Sequence, residues 1–388
     1  MDNVSEEKVN EETPAPEQSA LRKKVSFFVK RWFIDAFSGM AQGLFCTLIA
    51  GTILAQIASW CGENAFAATL TVISKIAKSL MGAGIGVGIA NKLGAKPLVV
   101  FTAAVTGMVG AFAAPLVDVL TKGATFTFAL GAPGNPIGAY VLTLFTAEIA
   151  GFYAGKTKLD IVLIPLGMMI LVLGGIFLAW PFIKLIDLLG IGIALAIEAG
   201  VAVKIVVGVF VAVIMGVLLT MPTSSAAIWI AITAAVSAKY ADALSIAGGA
   251  AVAGCAAHMI GFAVASFREN GVGGLISQGI GTSMLQIPNI MKKPLIMLPE
   301  IVASAVSGLV AVLLDLRCNA AGGGMGTSGL VGVFGAIDAS QAAGLPGWRI
   351  ALGVILCLFV IPAAVSLAVS EILRKNKVIS LGDQKLDA

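Results

Sequence analysis

Two short glycine-rich segments of similar sequence interrupt the hydrophobic second half of this chain. Residues 279–283 read GIGTS and residues 324–328 read GMGTS, so each places two glycines before a threonine and a serine. In the hydrocarbon core of a bilayer, irregular backbone occurs only where protein covers it or a water-filled cavity receives it. Paired segments of this kind are typical of re-entrant hairpins around a polar site in transporters. The pair predicts a transport-type membrane protein and leaves the solute open.

The composition indicates a chain made largely of membrane-spanning helices. Hydrophobic residues make up 58% of it and charged residues 12%, whereas soluble domains carry about twice that charged share. A helix that crosses the bilayer needs roughly 20 apolar residues. We therefore predict an all-α polytopic membrane protein with about ten transmembrane helices and two re-entrant hairpins. The predicted spans lie near residues 38–60, 67–91, 97–119, 136–155, 159–180, 200–220, 223–238, 244–266, 295–316 and 348–373.

The ends of the chain differ from its middle in composition. The first twenty residues are acidic and polar, which favours disorder, and basic residues next alternate with aromatic ones, as in a segment at the inner headgroups. The alternative is that this basic and aromatic segment is only the cytoplasmic end of the first span. The predicted organisation is a disordered cytoplasmic tail (1–24), an amphipathic interfacial segment (25–37), a membrane transport domain (38–373) with hairpins near 276–290 and 319–335, and a cytoplasmic tail (374–388).

Basic residues predict the orientation. Lysine and arginine accumulate in cytoplasmic loops. With the N-terminus inside, the inner loops and the C-terminal tail hold Lys92, Lys96, Lys156, Lys158, Arg268, Lys292, Lys293, Arg374, Lys375 and Lys377, and the outer loops hold fewer. Both termini are therefore predicted to be cytoplasmic.

Polar residues within membrane segments are costly and usually mark function. Hydroxyl and amide side chains suit a small neutral or anionic solute, and a glycine-rich turn can present free N–H groups to it. The predicted substrate-binding residues are Asn135, Glu148, His258, Asn270, Thr282, Ser283, Gln286, Asn289, Asn319, Gly326, Thr327 and Ser328.

Each of these residue types also has a purely structural interpretation. The glycines and hydroxyls of the hairpins would then serve close helix packing, which is also our interpretation of the glycine-dense run 82–88. His258 would be satisfied by a neighbouring carbonyl instead of binding solute or relaying protons. Glu148 would pair with Lys75 or Lys78, which lie on one helix face.

Several function classes find no support in the sequence. Motifs for nucleotide binding, metalloprotease activity or a nucleophilic serine are absent, so we expect no enzymatic activity, no catalytic residue and no cofactor. The single histidine and five scattered cysteines predict neither a metal site nor a disulfide framework. The basic residues cluster at helix ends, and we expect no nucleic-acid partner.

Three stretches together resemble one known family. They are residues 255–271 (CAAHMIGFAVASFRENG), 281–289 (GTSMLQIPN) and 324–332 (GMGTSGLVG). The chain is similar through these to membrane proteins related to the perfringolysin O regulator, which are classed with enzyme IIC, the membrane component of the sugar phosphotransferase system. The resemblance covers about residues 35–375.

The resemblance implies a bacterial inner-membrane homodimer with a scaffold part and a transport part that moves as an elevator. The sequence contains no IIA or IIB domain to accept phosphate, so phosphorylation coupling would need separate IIA and IIB chains. The hypotheses are a transporter of a small polar, anionic or sugar-like solute, a membrane sensor that regulates gene expression, and an enzyme IIC acting with separate IIA and IIB proteins. Membrane lipid is the other expected partner.

Overall fold

The computed structural model describes residues 20–221, 224–234, 236 and 238–386, and these are helical apart from turns and loops. The all-α polytopic fold class is confirmed. Most of the predicted N-terminal tail, residues 1–19, lies outside the described residues, and residues 20–24 begin the first helix. The helices of the N-terminal half are α1 (Ala20–Val29), α2 (Ala36–Leu44), α3 (Ala50–Trp60), α4 (Ala65–Ser79), α5 (Met81–Lys92), α6 (Pro97–Ala111), α7 (Ala113–Lys122), α8 (Pro136–Tyr153) and α9 (Asp160–Glu198).

The C-terminal half contains shorter and more broken helices. Both predicted hairpins fall here, between α12 and α16, where single turns of π- and 3₁₀-helix join the α-helical pieces. The helices are α10 (Val201–Thr220), α11 (Ser225–Ala234), α12 (Ala241–Ala265), α13 (Phe267–Ile276), α14 (Ile287–Lys292), α15 (Leu298–Leu313), α16 (Val331–Ala342), α17 (Gly347–Ile355) and α18 (Ile361–Lys375).

The described residues contain seven helices long and apolar enough to cross a bilayer. Two further pairs, α4 with α5 and α6 with α7, qualify together although they bend by 51° and 65°. The described residues therefore contain seven to nine candidate spans, against about ten predicted for the whole chain. The predicted span at residues 223–238 lies partly outside the described residues, and within it the structure describes α11 (Ser225–Ala234).

The segment predicted to be interfacial is continuous with the first candidate span. Helical structure runs without a break from Val25 to Trp60 over 36 residues, with π-helical turns at Lys30–Asp35 and Phe45–Ile49. Large apolar side chains such as Phe27 and Phe33 are exposed along its first turns. Such a surface suits lipid, because a bilayer and not water surrounds a multi-pass protein.

Glycine-lined contacts hold the N-terminal half together. A Cβ placed at Gly88 would lie 2.2 Å from the Gly39 carbonyl oxygen, and one at Gly43 would lie 2.2 Å from the Gly84 carbonyl oxygen. Helices α2 and α5 therefore pack backbone against backbone. Close packing of this kind maximises van der Waals contact, which has to hold helices together in a bilayer because lipid gives them no hydrophobic reason to associate. The prediction that run 82–88 is a packing face is confirmed.

In the C-terminal half, α12 is the central helix. It packs against α10, α15 and α18, and most of its side chains are buried. Gly254 allows α10 to approach, since a Cβ there would lie 1.9 Å from the Ala212 carbonyl oxygen. Both predicted hairpins contact this helix.

Candidate functional site

The two glycine-rich segments meet, and they do so through their hydroxyl side chains. Thr327 donates a hydrogen bond of 2.6 Å to the Gly279 carbonyl oxygen, and Ser328 donates one of 2.9 Å to the Gly281 carbonyl oxygen. The hydroxyls of the second segment therefore satisfy carbonyl groups of the first.

The first segment is also joined to α10 and α12. The Thr220 hydroxyl lies 2.8 Å from His258 Nδ1 and 2.9 Å from the Ser283 hydroxyl. Thr282, which precedes Ser283 in the chain, accepts a hydrogen bond from the Met284 N–H at 3.2 Å and so starts a short 3₁₀ turn. Ser283 and His258 are both fully buried, and the chain of hydroxyls fixes the imidazole orientation.

Gly326 lies where the second segment passes against α12. Its φ is +55°, in the left-handed region that favours glycine, and a Cβ there would lie 2.7 Å from the Cys255 carbonyl carbon. Both the conformation and the space require glycine. Gly326 therefore acts through backbone packing.

Three amides from the predicted site bind the protein's own C-terminal tail. The side chains of Asn270 and Gln286 each donate to the Gln384 carbonyl oxygen at 2.9 Å, and Asn289 donates to the Lys385 carbonyl oxygen at 2.8 Å. Asn270 also accepts a hydrogen bond of 2.8 Å from the Leu386 N–H. The segment predicted as a tail thus lies, through residue 386, against the first hairpin.

Charged groups reinforce this docking. Asp383 pairs with Lys293 at 2.6 Å, and the Gln384 N–H donates to the Glu269 carboxylate at 2.8 Å. Burial by itself raises the pKa of Asp383, but hydrogen bonds from Lys293 and the Ser380 N–H outweigh it, and the pKa lies below its ordinary value. The carboxylate is therefore ionised and paired at neutral pH, and its contribution to docking is lost only as the pH falls through that lowered pKa.

Two predicted site residues lie in the N-terminal half, apart from the hairpin contact. Asn135 accepts hydrogen bonds from the Ile137 and Gly138 N–H groups and caps α8. Glu148 pairs with Arg31 at 2.6 Å and accepts a hydrogen bond of 3.2 Å from the Trp32 indole. The suggested partners Lys75 and Lys78 were wrong, because Arg31 and Trp32 bind the Glu148 carboxylate instead.

We expect the Arg31–Glu148 pair to stabilise the N-terminal half. Both side chains are about a quarter exposed, so Arg31→Gln should lower the free energy of unfolding by about 1–3 kcal/mol, less than for a fully buried pair. Thermal unfolding of Arg31→Gln, Glu148→Gln and the double variant measures this. Lys30→Gln, at an exposed neighbour, is the matched control. Strictly additive losses in the double variant would contradict the pairing.

A mostly apolar cavity of about 420 Å³, with several polar side chains in its wall, lies between the two halves of the molecule. Lys78 of α4 and Asp338 of α16 both line it and attract each other electrostatically. Asn319, the first residue of the predicted second hairpin, donates a hydrogen bond of 3.3 Å to Asp338. The remaining lining residues are Leu48, Thr52, Ala55, Gln56, Ser59, Pro133, Ile230, Thr233, Ala320 and Ala321.

Sequence reasoning placed Asn319 in the site but missed Lys78 and Asp338 as its neighbours. Asp338 is the one charged residue of α16, whose first seven residues are apolar or glycine. That signal could have identified Asp338. Its juxtaposition with Lys78 arises from tertiary packing and has no local trace.

A family model described as "Phosphotransferase system, EIIC" matches residues 34–386. The chain belongs to this EIIC family. The match covers nearly all the described residues, including both glycine-rich segments and the docked C-terminal tail. Neither the comparison with curated proteins nor that with solved structures gives a match. Membership of this family assigns the chain as a multi-pass membrane component.

Proposed function

We propose that this EIIC-family chain transports a small polar solute, sugar-like or anionic, through the cavity between its two halves. The observation that carries this proposal is the placement of Lys78, Asn319 and Asp338 around one cavity. An ammonium, an amide and a carboxylate offer donors and acceptors in the arrangement that orients hydroxyl-rich ligands in otherwise apolar pockets. Asn319 and Asp338 belong to the C-terminal half, and Lys78 belongs to the N-terminal half.

The proposed motion is of the elevator type. The C-terminal half would carry the solute past the glycine-packed N-terminal bundle, which would form the scaffold and the homodimer contact in a bacterial inner membrane. The contact between the hairpins supports a role as one structural unit, because Thr327 and Ser328 hold the two segments together. Hydrogen bonds inside this unit would then be made by Thr282, Ser283 and His258.

The narrower resemblance to perfringolysin O regulator-like proteins rests on the three sequence stretches. Coupling to phosphorylation by separate IIA and IIB chains, and a regulatory role, stay predictions. A phosphotransferase route would release the solute in phosphorylated form, whereas a simple carrier would release it unchanged. The chemical form of the accumulated solute separates the two mechanisms.

Uptake into proteoliposomes tests the proposed cavity. Once a radiolabelled polar solute is identified by screening, Asp338→Asn and Lys78→Gln should each weaken its binding about 10–100-fold, because hydrogen bonds to charged groups contribute about 1.5–3 kcal/mol. Lys75→Gln is the matched control, since Lys75 lies three residues away on α4 and does not line the cavity. Unchanged uptake in Asp338→Asn and Lys78→Gln would overturn the assignment.

A further inference from the structure

The segment that follows α18 is anchored at two points, and the first of them is apolar. Ile379 is 1% exposed and belongs to one hydrophobic cluster with Phe262 of α12, Ile290 of α14 and Ile296. Five residues later, Gln384 is also fully buried. The chain beyond α18 therefore docks through particular side chains, as a bound peptide does.

The second anchor is held through its backbone. Asn270 of α13 donates to the Gln384 carbonyl oxygen at 2.9 Å and accepts from the Leu386 N–H at 2.8 Å, so one amide binds two peptide groups. The Gln384 carbonyl oxygen also accepts a hydrogen bond of 2.9 Å from Gln286, and the Gln384 N–H donates to Glu269 at 2.8 Å. Where a protein binds an added peptide strand, main-chain hydrogen bonds of this kind provide affinity and side-chain pockets provide specificity.

Two side chains of the segment give the contact its specificity. Asp383 pairs with Lys293 at 2.6 Å, and the Gln384 side chain accepts a hydrogen bond of 3.1 Å from Arg374. The Lys385 side chain is instead exposed, and the hairpin binds the carbonyl oxygen of this residue. The site therefore recognises an aspartate followed by a glutamine and tolerates variation at the next position.

The amides of the first hairpin are held in place by bonds that do not involve the tail. Gln286 donates to Gln278 and accepts from Asn289, both at 2.8 Å, and Gln278 donates to Ser266 at 3.0 Å. These bonds persist when the tail is absent. The site is thus preorganised, which lowers the cost of binding a peptide there.

Open space adjoins the docked segment. A cavity of about 790 Å³ lies beside Lys385 and Leu386, and α13 and the first hairpin form the rest of its wall. The side chains of Lys293 and Asp383 are 33% and 25% exposed, so water reaches their ion pair. The segment can therefore leave and return while the helices beneath it stay folded.

We propose that α13 and the first hairpin form a binding site for a short peptide, and that residues 379–386 of the chain are its exchangeable ligand. The covalent link makes this binding intramolecular, with an effective concentration of about 1 mM for a short flexible linker. A dissociation constant of roughly 100 µM or less then keeps the site mostly occupied. The tail is a removable restraint on the hairpin, and this role does not depend on the proposed transport function.

The test uses the full chain, which is folded first and cut afterwards. A recognition sequence for a specific protease is inserted after Asn376, since residues 375–377 are exposed, and the purified protein is cleaved and separated from the released segment. A fluorescent peptide of residues 377–388 should then bind saturably, with a dissociation constant of roughly 100 µM or less. Uncleaved protein, whose own tail competes, should bind this peptide at least about tenfold more weakly.

Modified peptides test whether the backbone is what the site binds. N-methylation of Leu386 removes the N–H that Asn270 accepts, and Asp383→Asn removes the charge that faces Lys293. Each change should weaken binding about tenfold. Lys385→Ala is the matched control and should bind like the unmodified peptide. In the Asn270→Ala protein, N-methylation should cause no further loss, because coupled changes are non-additive.

Uncleaved protein carrying Asp383→Asn gives a second measurement that needs no cut. Its own tail competes less, so it should bind the wild-type peptide at least about fivefold more tightly than the uncleaved wild-type protein does. The proposal is overturned if the cleaved segment does not exchange, if no peptide binds at about 1 mM, or if the N-methylated peptide binds as tightly as the unmodified one. Because no solute is present, these outcomes are independent of the cavity assignment.

Discussion

Replacing Gly88 with alanine should destabilise the N-terminal half by at least about 3 kcal/mol, the upper part of the range for overpacked positions. The added methyl group would lie 2.2 Å from the carbonyl oxygen of Gly39, which is backbone and cannot rotate away. Helices α2 and α5 would therefore have to separate along their whole contact. The expected result is a marked loss of monodisperse protein in detergent and a lower Tm.

Gly174→Ala is the matched control, and its expected effect has the opposite sign. Gly174 lies within α9, and nothing lies within 4 Å of the position where its Cβ would be. Alanine favours helix over glycine by about 1 kcal/mol, so this variant should match or exceed the wild-type Tm. Equal Tm values for Gly88→Ala and the wild-type protein would contradict the close packing of α2 and α5.

The sequence predicted those features of the fold that leave a local trace. Hydrophobic length located nearly all the spans, and the repeated glycine–hydroxyl pattern marked two segments that do contact each other. The predicted span at residues 223–238 lies partly outside the described residues, and within it the structure describes α11.

Long-range partnerships left no such trace. Arg31 reaches Glu148 across the N-terminal half, and Lys78 faces Asp338 across the cavity. Ser366 resembles an ordinary small packing residue, and only its position beside Glu300 at Gly261 distinguishes it. Each of these pairs depends on how helices are placed in three dimensions, which composition and spacing do not determine.

Removing residues 377–388 should loosen the first hairpin strongly. The lost contacts include the Lys293–Asp383 pair, the Gln384 N–H bond to Glu269 and the amide bonds to the tail carbonyls. Hydrogen bonds contribute about 0.5–1.5 kcal/mol each, and those to charged groups about twice that, so a loss of about 3–6 kcal/mol in local stability is expected. Hydrogen exchange of residues 267–292 measures it, with α2 and α5 as internal references that should not change.

The same truncation tests whether Asn289 binds the tail. Its amide donates 2.8 Å hydrogen bonds to the Lys385 carbonyl oxygen and to the Gln286 side chain. Asn289→Ala should therefore accelerate exchange in the hairpin when the tail is present and add little once the tail is removed, because coupled residues are non-additive. Asn135→Ala, which affects the cap of α8 in the other half, should be additive with the truncation. If Asn289→Ala has its full effect without the tail and abolishes solute uptake, the amide binds solute, and the docked tail is incidental to it.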